Sequence, residues 1–130
     1  MTGELPIPGA TEEIVRGVIG CALAVHKELG PGFVERIYRE AMRLELEARR
    51  LRFEIEKPIA VLYRGCPILG QRVDLVVEDA VVVELKAVAA IEPVHVAQVL
   101  SYLKTLSLRV GLVINFHEML LRNGIRRIVR

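Results

Sequence analysis

The sequence predicts an α/β fold of the α+β kind: a mixed central sheet with helices packed on it. Three observations predict it. Apolar residues recur at helical spacing in three segments, their period shortens toward two between Leu51 and Lys86, and a further apolar strand follows the third helical segment. The element order is therefore helix, helix, three strands, helix, strand, short strand. The chain has 130 residues, enough for one domain with its own core. Residues 1–10 read as a loose leader and 11–130 as the domain.

The first helix is expected to start with Thr11 as its N-cap and Glu12 and Glu13 in the first turn, where acids complement the helix dipole. Ile14, Val18, Ala22, Val25 and Leu29 form one stripe, and Gly30-Pro31-Gly32 ends the helix because these residues disfavour its continuation. A second helix is expected from about Phe33 to Arg50, burying Val34, Ile37, Ala41, Leu44 and Ala48. So short a break makes the two a hairpin or an angled pair.

Phe53, Ile55, Ile59, Val61 and Tyr63 then mark a strand, with Pro58 pointing to an edge or a bulge. Arg64-Gly65-Cys66-Pro67 reads as a turn and Leu69–Val77 as the next strand. Glu78-Asp79-Ala80 turns into the β-branched run Val81–Lys86, completing an antiparallel meander. Pro93 sits where a helix would begin, and that helix runs to about Leu106 with Val96, Leu100, Leu103 and Leu106 facing inward. Arg109–Asn115 is apolar without alternation, hence a central strand, and Ile125–Val129 is a last short one.

Composition narrows the function classes. Hydrophobic residues make up 52% and charged residues 26%, as in a folded domain, and aromatics only 5% with no Trp, so the core is aliphatic. The apolar excess leaves room for homo-oligomerisation. A net charge of +2, from 18 basic and 16 acidic residues, excludes a strongly basic, non-specific nucleic-acid binder. A nucleic-acid partner thus needs local contacts. Arg49, Arg50 and Arg52 cluster, as do Arg126, Arg127 and Arg130, serving either such contacts or solubility. Cys21 and Cys66 cannot form a disulfide framework or a zinc site. The first ten residues do not read as a signal peptide, and no apolar stretch is long enough to span a bilayer. The expectation is a cytoplasmic protein with no membrane partner.

The chemistry concentrates in the second hairpin. With Glu78-Asp79-Ala80 as its loop, Asp74 faces Glu84 across the ladder, at a Cβ separation of ~4.5–5.5 Å. Two carboxylates so placed repel, and a divalent cation held by hard oxygen ligands relieves the repulsion. Lys86 lies two residues beyond Glu84 and projects from the same face, where an ammonium can orient a nucleophile or steady negative charge on a phosphate. Taken alone, Glu84-Leu85-Lys86 could be a surface ion pair. On the third helix, Gln98 and Tyr102 share a face one turn after His95, either lining a site above the sheet or facing solvent. Glu35 opens the second helix, where an acid commonly serves the dipole. His26, near the end of the first helix, reads as a cap or core-edge residue.

Gly32-Phe33-Val34-Glu35-Arg36-Ile37-Tyr38 resembles the G-x-x-E-x-x-Y signature of the GxxExxY proteins, and Asp74, Glu84-Leu85-Lys86, Gln98 and Tyr102 resemble the D…E-x-K…Q-x-x-x-Y series of the PD-(D/E)XK nuclease superfamily. The resemblance runs from about Ile14 to Val129. It implies a restriction-endonuclease-like αβββαβ core, here with an extra N-terminal helix, and magnesium- or manganese-dependent phosphodiester cleavage, DNA before RNA. By the same resemblance, Asp74, Glu84 and Glu35 are metal-site acids. Lys86 orients or activates water, and Gln98 and Tyr102 complete the site; His26 is only a loose match to an upstream histidine of RecB-type exonuclease domains. The competing reading is a non-catalytic nucleic-acid- or partner-binding module on the same fold.

Overall fold

The first helix is set by a proline. In the computed structural model, which describes residues 5–130, α1 spans Gly9–Leu29 with Pro8 at the N-cap position, and Glu12 N–H donates to the Pro8 carbonyl at 3.0 Å. Thr11 is therefore inside the helix and is not its cap: proline's fixed φ starts the turn earlier than a polar cap would. The expected leader falls partly on residues 1–4, which lie outside the described residues. The helix ends at Gly30, whose φ of 67° suits glycine.

The second helix, α2, spans Glu35–Ala48, shorter than expected at both ends. Its buried stripe is Tyr38, Met42 and Leu46, whereas Val34 and Leu44 are exposed. The stripe is rotated because the Tyr38 ring stacks on Phe116, with centroids 4.4 Å apart, and sets the face that turns inward. The Tyr38 hydroxyl donates to the Gly30 carbonyl at 2.6 Å and accepts from Phe33 N–H at 3.2 Å. The tyrosine of the G-x-x-E-x-x-Y run thus closes the turn between the two helices.

Five strands follow: β1 (Phe53–Tyr63), β2 (Cys66–Val77), β3 (Val81–Lys86), β4 (Val110–Asn115) and β5 (Ile125–Val129). Helix α3 (Pro93–Leu106) connects β3 to β4, and a short 3-10 turn (Leu121–Gly124), not foreseen in the sequence, precedes β5. The sheet order is β1-β2-β3-β4-β5; β3 and β4 are parallel, as the α3 crossover requires, and the other pairs are antiparallel. β2 starts at Cys66 instead of Leu69, lengthening the β1–β2 hairpin. Residues 60–72 of that hairpin are exposed.

One face of the sheet carries α1 and α2 over Leu75, Val77, Val83, Leu85, Leu112 and Ile114. The other carries α3 over Val73, Val76, Val82 and Val113. On α3, Val99, Tyr102 and Leu103 are buried while Leu100 is exposed, so Tyr102 belongs to the inward face and Leu100 does not. β3 and β4 are covered on both sides, which is why they read as unbroken apolar runs. Among the described residues no helix is long and apolar enough to cross a membrane.

The β1–β2 ladder is interrupted where it matters most. Ile55 pairs with Leu75 and Lys57 with Val73, but Glu56, at φ 48°, and Asp74 make no ladder pair. Ile55 and Leu75 pack under α1 and α2; Ile59 and Val73 pack under α3. The two strands exchange faces at Glu56 and Asp74. Pro58 pairs normally with Arg72, so the irregularity lies at Glu56 and, farther out, between Ile59 and Val61.

Tyr38→Phe removes the hydroxyl that serves Gly30 and Phe33 and leaves both backbone groups short of a partner. Urea unfolding is expected to show a loss of about 1–2 kcal/mol with an unchanged m-value; an unaltered midpoint would remove the hydroxyl from the stability of the helix turn.

Candidate active site

The residues that carry charge in the middle of the sheet come from the end of the β2–β3 ladder. Leu75 pairs with Val83, Val76 with Val82 and Val77 with Val81, a register that continues to Asp74 opposite Glu84. There the ladder changes character. Glu84 Oε1 accepts from Asp74 N–H at 3.1 Å, and Asp74 Oδ2 accepts from Leu85 N–H at 3.0 Å. Each carboxylate takes the place of a backbone carbonyl on the opposing strand. The main-chain donors are satisfied, and two acids meet where strands would otherwise pair.

Glu84 is 3% exposed. Its carboxyl is pushed up to about 8, first by burial and then by the negative charge of Asp74; the hydrogen bond from Asp74 N–H and the ammonium of Lys86 oppose this, and Glu35 adds a smaller upward push. Lys86 stands on the same face, its Nζ 3.7 Å from Glu84 Oε2 and donating to Gln98 Oε1 at 3.2 Å. Gln98 on α3 thus holds the ammonium over the acids.

Glu35 comes from the first turn of α2, on the other layer. Burial raises its carboxyl above the ordinary range, and the charge of Asp74 raises it further against the pull of Lys86 and Arg39, with a hydrogen bond to Asp74 contributing last. It reaches Asp74 because Asp74 stands where the hairpin changes faces. Arg39 of α2 lies 3.7 Å from Glu56, so the kinked position of β1 is tied to the same helix.

Tyr102 is buried beneath the β1–β2 hairpin, and its hydroxyl accepts from Gln71 Nε2 at 2.7 Å. Burial, then the charge of Glu84, raise the phenol, which keeps it neutral. His95 is bonded within the α3 cap, its Nδ1 accepting from Glu92 N–H at 2.9 Å, and it borders a hollow beside Lys86 and Gln98. His26 stands apart from the acids: its Nε2 lies 2.7 Å from the Glu118 carbonyl and its ring stacks on Phe116.

Two residues were missed in the sequence. Gln71 carries no motif, and its approach to Tyr102 depends on the irregular hairpin. Asn115, wholly buried at the end of β4 beside Lys86, accepts from Val88 N–H at 3.0 Å and donates to the Val88 carbonyl at 2.9 Å. It fixes the chain as it leaves β3. A polar residue closing a buried apolar strand was the available signal for it.

The donor set fits a hard divalent cation. Asp74 and Glu84 each commit one oxygen to a backbone N–H, the second oxygen of Glu84 lies 3.7 Å from Lys86 Nζ, and the mutual repulsion of the two acids is what a cation would relieve. Among the described residues no three His, Cys, Asp or Glu side chains are already gathered as a complete cage. Asp74 and Glu84 are therefore the residues that could hold such a cation, with Glu35 the neighbouring acid from α2.

Because the folded-state value for Glu84 lies above the ordinary carboxylate range, the fold favours the protonated form. That stabilisation is complete below the unfolded value and is lost as pH rises through about 8. In a chelator, the unfolding midpoint is expected to fall between about pH 5 and pH 9, and Glu84→Gln to flatten the profile and be the more stable protein at the alkaline end. A wild-type profile as flat as that of the variant would show that the carboxyl is not held protonated.

No curated protein and no solved structure matches the chain. A family model does, over residues 12–128, with the acids, lysine and glutamine described above all inside the matched span. A match over nearly the whole length, on a mixed five-stranded sheet with this arrangement of Asp74, Glu84 and Lys86, shows that the chain belongs to the PD-(D/E)XK nuclease superfamily.

Proposed function

We propose that the protein is a magnesium- or manganese-dependent nuclease that hydrolyses phosphodiester bonds of DNA. The observation that carries this reading is the reciprocal Asp74/Glu84 arrangement with Lys86 Nζ on the same face, 3.7 Å from Glu84. Asp74 and Glu84 hold the cation, with Glu35 as an outer acid; when bound, the metal polarises the scissile phosphate and lowers the pKa of water. Lys86 presents a positive charge and hydrogen-bond donors to the attacking water or to the phosphate oxygens, and Gln98 keeps it there. Tyr102, anchored by Gln71, supports the α3 wall of the site.

Gly32, Glu35 and Tyr38 support placing the chain among the GxxExxY proteins, since Tyr38 orders the turn from which Glu35 projects. The free thiols Cys21 and Cys66 suit a reducing, cytoplasmic setting.

Incubation of labelled DNA with manganese is expected to give cleavage that Glu84→Ala or Lys86→Ala lowers by at least about 100-fold, the usual cost of removing one such electrostatic group. Calorimetry is expected to show manganese binding that Asp74→Asn abolishes. Metal binding without cleavage of any DNA would favour a non-catalytic binding module; cleavage that survives both substitutions would remove this site from the reaction.

A further inference from the structure

The β1–β2 hairpin projects past the catalytic end of the sheet. β2 pairs with β3 only from Leu75 onward, so residues 60–72 overhang the acids as an arm. Between this arm and α3 runs a groove. A hollow of about 210 Å³ lies against Gln71, Gln98 and Tyr102, and it shares Val61, Ser101 and Thr105 with one of about 500 Å³ that reaches Lys104. On its other side it shares Gln98 and Ser101 with a hollow of about 520 Å³ beside Lys86. The track follows α3 for roughly 16 Å at 1.5 Å per residue.

Its walls have an unusual composition. The chain holds no acid between Lys57 and Val73, the arm, and none between Pro93 and His117, which includes all of α3. Nine of the 16 acids lie instead between Glu12 and Glu56. Lys104 lines the far hollow, and Arg64 sits over the Tyr63 ring at 5.7 Å at the arm's tip. The arm also exposes apolar groups: Val61 and Tyr63 on one strand face, and Leu62 between them. A duplex presents phosphates to such walls and gains nothing from apolar side chains, whereas unstacked bases do. Hollows of these volumes admit single nucleotides and not a double helix.

We propose that this groove is the track of an unpaired DNA strand, with phosphates on Lys104, Ser101 and Thr105 and bases against Val61 and Leu62, leading to Lys86. The inference rests on the nuclease reading for its direction, and its test is independent of cleavage. The intact chain in a chelator is titrated into a fluorescent oligothymidine of about 12 nucleotides and into a duplex of equal length, and anisotropy is read.

The single strand is expected to bind at least about tenfold tighter than the duplex. The double substitution Ser101→Glu/Thr105→Glu, at two exposed positions of α3, is expected to weaken it by at least about tenfold, and Lys27→Glu, exposed on α1 in the other layer, to leave it unchanged. Lys104→Glu, a check should the double variant unfold, is expected to lower the salt slope by about 0.7. Equal or tighter duplex binding overturns the proposal, as does strand affinity indifferent to both α3 variants. So does sedimentation showing that the groove seats a second copy, with dimer lost and strand affinity kept in the variant. A chain that binds the strand through this groove and cleaves nothing with manganese would retain the track and lose the nuclease reading; one that cleaves single strands equally well in the double variant would retain the nuclease and lose the track.

Discussion

The fold depends on how two antiparallel strands stop pairing. At Asp74 and Glu84 the main-chain ladder gives way to two side-chain carboxylates, each accepting a backbone N–H from the other strand. No donor is abandoned, so the strands can part in the interior without the cost of orphaned polar groups. The cost appears instead as electrostatics, the Glu84 carboxyl being pushed upward by its burial and then by the charge of Asp74. Ladder ending and charge clustering are therefore the same feature here: the bonds that end the ladder also hold the acids together.

The face exchange at Glu56 and Asp74 explains why three layers contribute to one site. In a regular hairpin, residues on α2 and α3 would meet opposite sides of β2 and never share a neighbour. Because the pleat inverts at Asp74, Glu35 approaches it from the α2 layer, while Gln98 and Tyr102 belong to the α3 layer. Arg39, bound to Glu56, ties the inversion to the helix that carries Glu35. Beyond the inversion, Gln71 turns toward α3 and meets Tyr102.

Much of this was legible in the sequence, and the limits have physical reasons. The order of elements, the Glu78-Asp79-Ala80 turn and the Asp74/Glu84 register followed from period and turn chemistry, which are local. Aliphatic spacing alone does not give the inward faces of α2 and α3: Tyr38 and Tyr102 bury their rings and hydrogen-bond their hydroxyls, displacing Leu44 and Leu100 to the surface. A polar residue before an apolar stripe is the usual cap signal and points to Thr11, but Pro8 starts the helix earlier. Gln71 was invisible because its orientation follows from an inversion that no residue type announces; Glu56 at φ 48° is a glutamate like any other in the sequence.

Asn115 has a consequence for which substitutions this chain can accept. Its side chain both donates to and accepts from Val88, and it lies beside Lys86 across the parallel pair. A leucine of similar bulk would fill the space but strand both backbone groups. An aspartate could accept but not donate, and its charge would compete with Glu84 for the ammonium. The position requires a neutral, two-handed group: an electrically silent spacer that orders the strand exit without altering the potential a few ångströms away.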